Sequence, residues 1–312
     1  MSTPFAIFVN LDANNGRAAH RWAQMADAWK PLMPPDTTVI LFRPPQDIAP
    51  LVSDLLAKGC SGFVSAGGDG SANFLLNLLM QHTKEQARHL MLGGIGLGSS
   101  NDFIKPKTHF IQDLPIRLDY PNAQLVDVGK AEWLDASGDW HTRYFIANAS
   151  LGVTAEANWF FNHGDWLIQW AKHRWTNLAI LYAALRTILQ FKNFPVTLSL
   201  EQEILNVRLS NLAVLKTPFV SGSFHFDDPV QRDDGFLGMN ACLNMRKMAL
   251  VKVLIGLSKG RFKGTHDTIS QAVQSLKVIA QTPVALEMDG EVFQASEVRF
   301  SVVPKAIQLM GL

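Results

Sequence analysis

The chain has 312 residues, 47% of them hydrophobic and 18% charged, with a formal net charge of +1. That length fits one large domain or two ordinary ones with a sizeable core; the composition excludes a disordered chain and gives no electrostatic footprint for nucleic acid. Cys60 and Cys242 stand far apart, which makes neither a disulfide framework nor a metal-site spacing and suits reduced thiols in the cytoplasm.

Met1 to Pro4 shows no basic segment followed by an apolar stretch and a cleavage site, so export is not expected. In chain order, FAIFVN, the helical pattern from Ala18 to Lys30, TVILF, Asp47 to Lys58, GFVSA, Ser71 to His82 and MLGGI alternate as strand and helix. This order predicts an α/β domain with a mostly parallel, doubly wound sheet. From residue 123 the rhythm changes. QLVDVGKAEWL, TRYFIANASLGV, VTLSLE, ILNVRLSNLAVL, GFLGMNACL and VRFSVV follow with few helices between them, which predicts an antiparallel, β-rich second domain over 123–303.

One helix is expected inside that second half, where Leu178, Leu181, Leu185, Ile188 and Leu189 recur at helical spacing behind Lys172, His173 and Arg174. Its apolar stretch, interrupted by Arg186, is shorter than the ~20 residues that span a bilayer. Trp133, Trp140, Trp159, Trp166, Trp170 and Trp175 cluster nearby, and aromatics beside cations suit either an interfacial surface that meets lipid or an ordinary core.

Two turns carry the chemistry. SGFVSA leads into Gly67-Gly68-Asp69-Gly70-Ser71 and then a helical run, an arrangement of strand, glycine turn and helix in which converging N–H groups and the helix dipole favour a phosphate. A plain βα turn needs fewer glycines. A carboxylate in a phosphate loop repels the ligand unless a cation lies between them, and magnesium bridges carboxylates to nucleotide phosphates. The second turn, GSSNDF, adds Asp102 beside Asn101; an N-cap explains that pair alone, while both turns together point to a metal-nucleotide site. A P-loop is absent, Gly94 to Ser99 lacks the last glycine of the dinucleotide fingerprint, and no protein-kinase catalytic set is present.

These residues resemble the diacylglycerol kinase catalytic-domain family, which includes bacterial lipid kinases and sphingosine and ceramide kinases. Gly67 to Ser71 is similar to its Gly-Gly-Asp-Gly-Thr loop, and Gly96 to Phe103 to its Pro-x-Gly-Thr-x-Asn-Asp-Phe loop. FVNLDANNGRA, IANASLGVTAE, QRDDGFLGM and EMDGEVF resemble further family segments, in order, over nearly the whole chain. Taken singly, RDDG and MDGE also read as hairpin turns.

The resemblance implies an ATP- and magnesium-dependent transfer of the γ-phosphate to a lipid hydroxyl. It implies an α/β nucleotide-binding domain over 1–122, rejoined by 304–312, and a sandwich-like substrate domain over 123–303, with the active site in the cleft. Gly68, Asp69, Gly70 and Ser71 would contact phosphates, with Asn10, Gly67, Asn73, Gly98, Ser99, Asn101 and Asp102 completing the nucleotide site. Asp69, Asp102 and Glu291 would hold magnesium, partly through water, and Asp289 would be the general base. A second metal is expected at Asp233 and Asp234. The substrate class implies peripheral contact with the inner face of the membrane; homodimer formation stays open. The chain departs at Phe74, where the family has an acidic residue, and at Gly96, which stands for proline and implies a looser second loop. A kinase of a soluble alcohol and a nucleotide-binding regulatory protein without turnover remain as alternatives.

Overall fold

The first strand, β1 (Phe5–Asn10), shows why the N-terminal half folds as it does. Phe5, Ile7 and Val9 pack on one side with Ala18, Met25 and Trp29, while Phe8 on the other side stacks near Phe63. A strand buried on both faces needs cover on both, which is the situation of a parallel sheet with crossover helices. The computed structural model describes residues 4–25, 27–83, 87–164, 168, 176–201, 203–228, 230–264 and 266–311. The chain divides into two units, Met1–Asp127 with Pro304–Leu312, and Val128–Val303.

In the first unit, helix α1 (Arg17–Met25), β2 (Thr38–Phe42), α2 (Ala49–Ala57), β3 (Gly62–Gly67), α3 (Asp69–His82) and β4 (Met91–Gly96) follow β1. β1 pairs in parallel with β2 and with β3, and β3 in parallel with β4. Short strands β5 (His109–Ile111) and β6 (Leu114–Arg117) extend the sheet antiparallel beyond β4. Gln308 and Leu309, near the C-terminus, pair in parallel with Met91 and Leu92. The division falls at Asp127, a few residues beyond the expected 122, within one continuous strand, β7 (Asp119–Leu134).

The second unit is antiparallel. Its strands are β8 (Trp140–Phe145), β9 (Asn148–Gly152), β10 (Phe194–Ser199), β11 (Ile204–Leu215), β12 (Phe219–Val220), β13 (Phe224–His225), β14 (Leu237–Leu243), β15 (Thr268–Val273), β16 (Ser275–Met288) and β17 (Glu291–Gly311), the last running on into the first unit. β11 pairs with β9, β10 and β14, and β16 with β9, β10 and β17. One face buries Leu151, Leu198, Leu212, Val214, Leu286 and Met288 among other apolar residues.

Among the described residues the helices α4 (Val153–His163), α5 (Thr176–Gln190) and α6 (Lys247–Leu257) accompany this sheet, where one was expected. In α6 the run KMALVKVLIGL is apolar at nearly every position, so it shows no clear period and periodicity alone does not separate helix from strand. Of the tryptophans singled out, Trp133 is core while Trp140 and Trp159 are exposed. Trp166, Trp170 and Trp175, with Lys172, His173 and Arg174, lie outside the described residues.

Candidate active site

The first glycine turn is tighter than a loop. α3 starts at Asp69, so Asp69 and Gly70 form its first turn, and Gly68 is the N-cap in extended conformation. The expected start at Ser71 is therefore two residues late, because glycine and aspartate suit a helix N-terminus where the dipole rewards negative charge. Ser71 Oγ accepts a hydrogen bond from Asn10 Nδ2 at 2.9 Å, which ties the end of β1 to the turn.

The second turn is held against the first by missing side chains. A Cβ on Gly98 would meet Gly68 Cα at 2.3 Å, so the two turns touch backbone to backbone. Asn101, at φ 54°, clasps its own loop: its Oδ1 accepts the Gly98 N–H, and its Nδ2 donates to the Gly98 carbonyl, both at 3.1 Å. Its amide thus shapes the second turn. Gly96 is also not a loosening element. It ends β4 opposite Gly67, and a Cβ there would lie 2.7 Å from the Pro115 ring and 3.0 Å from Asn101 Cγ.

These contacts bring two of the predicted acids together. Asp69 Oδ1 accepts the Phe103 N–H at 2.9 Å, immediately beside Asp102. Asp102 is buried and pairs with the buried Lys105 at 2.7 Å. Lys107 feels both carboxylates, yet desolvation and the neighbouring Lys105 ammonium hold its pKa below the usual lysine value. Lys105 and Lys107, missed in the sequence, directly follow the second turn, and cations there suit an anionic ligand. Asn73 is fully buried and its Oδ1 accepts from Asn77 Nδ2. Ser99 is exposed on the second turn, and Phe74 is half-buried.

In the second unit Asp289 occupies a hairpin turn after all. Asp289 and Gly290 have φ of 46° and 94° and join Met288 to Glu291, its cross-strand partner, as a two-residue turn with both φ positive demands. The Asp289 side chain is nevertheless 3% exposed. Its Oδ2 accepts the Ile146 N–H at 2.9 Å, and its Oδ1 accepts those of Ala147 and Asn148 at 3.0 Å. Such charge-assisted bonds fix a carboxylate in place. Two arginines stand near it: burial lowers Arg232 to about 10 against the pull of Asp289, and burial lowers Arg143 against those of Glu291 and Asp289. Glu291 is exposed. Glu287, which sequence reasoning passed over, is buried, accepts from Ser150 Oγ at 2.6 Å and takes the Gly290 N–H at 2.7 Å. Its two-residue spacing from Asp289 was the available signal.

Asp234 pairs with a buried lysine. The Lys216 side chain is fully buried, and its ammonium donates to the carbonyls of Gln231 at 2.8 Å and Phe236 at 2.7 Å and to Asp234 Oδ1 at 3.2 Å. Asp234 Oδ1 also accepts the Phe236 N–H, so this carboxylate serves the loop; Asp233 is exposed.

An apolar cavity of about 90 Å³ lies in the second unit under α4, α5 and α6. Ile180, Ala184, Val220, Val253, Leu254 and Phe262 are among its walls, and Asn148 and Ser150 supply polar groups. Asn148 is the residue whose N–H holds Asp289.

Residues 4–112 match the diacylglycerol kinase catalytic domain, and residues 147–311 match the YegS C-terminal NAD kinase beta sandwich-like domain, which alone spans more than half of the chain. The chain belongs to the diacylglycerol kinase catalytic-domain family. A diacylglycerol kinase from Bacillus anthracis str. Sterne has the same fold, with a TM-score of 0.68 at 14% identity over 99% of this chain and 97% of that chain. A second solved structure from that organism aligns with a TM-score of 0.72 at 17% identity, over 99% and 95% of the two chains. No curated protein sequence matches the chain. Membership in the diacylglycerol kinase catalytic-domain family makes it a kinase, a phosphotransferase with an alcohol acceptor, for which a nucleotide donor is implied.

Proposed function

We propose that this chain transfers the γ-phosphate of ATP to the hydroxyl of a lipid of the diacylglycerol type, with magnesium. The observation that carries the lipid over a soluble alcohol is the apolar cavity with Asn148 and Ser150 among its walls, a space suited to acyl chains with their polar end near Asp289.

Among the described residues no group of three His, Cys, Asp or Glu side chains is placed to hold a metal. Asp69 and Asp102 fit the other mode, in which magnesium takes one or two carboxylates and otherwise waters and phosphate oxygens. The chemistry supplied there by the bound ion is neutralisation of charge on the nucleotide phosphates. In this reading the N-terminus of α3 and the Gly98 turn hold phosphate, and Lys107 balances its charge. Asp289 accepts the proton of the lipid hydroxyl. Aspartate is a weak base, but in a loose transition state the proton leaves late, so orientation counts for more than basicity. The three backbone donors supply that orientation.

The test is transfer of labelled γ-phosphate from ATP to diacylglycerol in mixed micelles, for wild type and Asp289→Asn. An Asn amide would turn donors toward the N–H groups of 146–148, so the melting temperature is measured alongside and turnover compared well below it. Labelled lipid from wild type and none from the folded variant is expected. Unchanged lipid labelling by Asp289→Asn removes the base from the account.

A further inference from the structure

α5 has two apolar faces where a buried surface helix has one. Leu178, Leu181, Leu185 and Leu189 form a single stripe at helical spacing and are 57%, 39%, 37% and 62% exposed. Ala179, Ala183 and Ile188 on the other side are buried, and Ile180, Ala183, Ala184 and Ile188 wall the cavity. α6, which packs on α5, repeats the pattern. Met248 and Ile255, two turns apart, are 70% and 52% exposed, while Leu250, Val253, Leu254 and Leu257 face the cavity. Lys247 Nζ donates to the Leu189 carbonyl and ties the two helices end to end.

Charge is equally one-sided. From Gly235 to His266 there is no Asp or Glu, while Arg246, Lys247, Lys252, Lys259, Arg261 and Lys263 are all present and exposed. Residues 176–193 add Arg186 and Lys192, again with no acid. In a chain of net charge +1 this is segregation along the sequence, though the Asp227 carboxylate accepts the N–H groups of Phe262 and Lys263 at one end of it.

We propose that the outward face of α5 and α6 docks on an anionic lipid bilayer, with the leucine stripe, Met248 and Ile255 in the interfacial zone and the lysines and arginines at the headgroups. Apolar side chains rimmed by cations are what an interfacial helix offers, and anionic headgroups attract such a rim. A second copy of this chain is a poorer occupant, since an isologous contact would set these cations near their own copies. The same two helices separate the docking face from the cavity, which gives a lipid a short route from bilayer to pocket. That purpose rests on the lipid-kinase reading, whereas the docking itself does not.

The test is flotation of the full chain with vesicles of phosphatidylglycerol and phosphatidylcholine, and with phosphatidylcholine alone, at low and high salt. Binding is expected only with phosphatidylglycerol and is weakened by salt. Leu178→Gln, Leu181→Gln, Leu185→Gln and Leu189→Gln together should lower binding at least about ten-fold. Lys252→Gln with Lys259→Gln should lower it about 25-fold at low salt, with an unchanged melting temperature. Both sets should retain turnover of lipid presented in mixed micelles. Absence of wild-type binding to phosphatidylglycerol vesicles, or undiminished binding by both variants, overturns the docking proposal. So does a wild-type dimer that the leucine variants dissociate. Vesicle binding without mixed-micelle turnover by wild type would instead overturn the lipid-kinase reading and leave the docking intact.

Discussion

In the first unit two short turns lie close enough for a glycine on each to touch the other, and Asp69 meets the residue after Asp102 through a backbone hydrogen bond. In the second unit Asp289 depends on donors 141 to 143 residues earlier in the chain, and the cavity beside Asn148 is walled by three helices and the sheet. The first arrangement is written in local sequence, since a turn that must bring backbone close to phosphate needs glycine and a helix start. The second is made by tertiary contact, and its residues look ordinary one by one. In the proposed function, local motifs would hold the donor end of the chemistry, and long-range packing would shape the acceptor end.

Four substitutions break or sharpen this contrast. Asp69→Asn should lower kcat by about 10²- to 10³-fold, the scale of removing one preorganised charge-stabilising group, in steady-state transfer assays. If transfer persists, the first turn is not the donor site. Lys216→Met should cost about 3 kcal/mol in urea unfolding, because it strips a buried cation from two carbonyls and a carboxylate. Added magnesium should not restore the loss, and recovery would mean that the loop takes a metal. Gly98→Ala should cost about 1–3 kcal/mol and raise the KM for ATP, since its Cβ meets the Gly68 backbone and nothing flexible can yield. Lys58→Ala removes an exposed pair with Asp54 and should change stability by no more than about 0.5 kcal/mol. A larger effect would show that the first unit is held together by more than its core and turns.

Much of the first unit was legible in the sequence: four apolar strands, three helices and the two glycine turns stand close to their expected places. What local reading did not show there are the hydrogen bonds of Asn73 and Asn101, whose amides meet Asn77 and their own loop. An amide looks the same in sequence whether it meets ligand or backbone. In the second unit the antiparallel rhythm was readable, but α4 and α6 were not; α6 is apolar at nearly every position, so it shows no clear period. Asp289 was found by resemblance, and its turn geometry by the Asp-Gly pair. Its backbone donors at 146–148 had no local signal. Lys216, the residue after β11, gave no hint that its ammonium would be buried against Asp234.

The most direct measurement of the central claim is γ-phosphate transfer to a long-chain diacylglycerol and, in parallel, to glycerol, by wild type and by Ala184→Phe, which fills the cavity wall. The account predicts labelled lipid and no labelled glycerol with wild type, and a loss of at least about ten-fold in kcat/KM for the lipid in the variant, with ATP binding unchanged. Labelled glycerol without labelled lipid, or lipid transfer indifferent to Ala184→Phe, would contradict it.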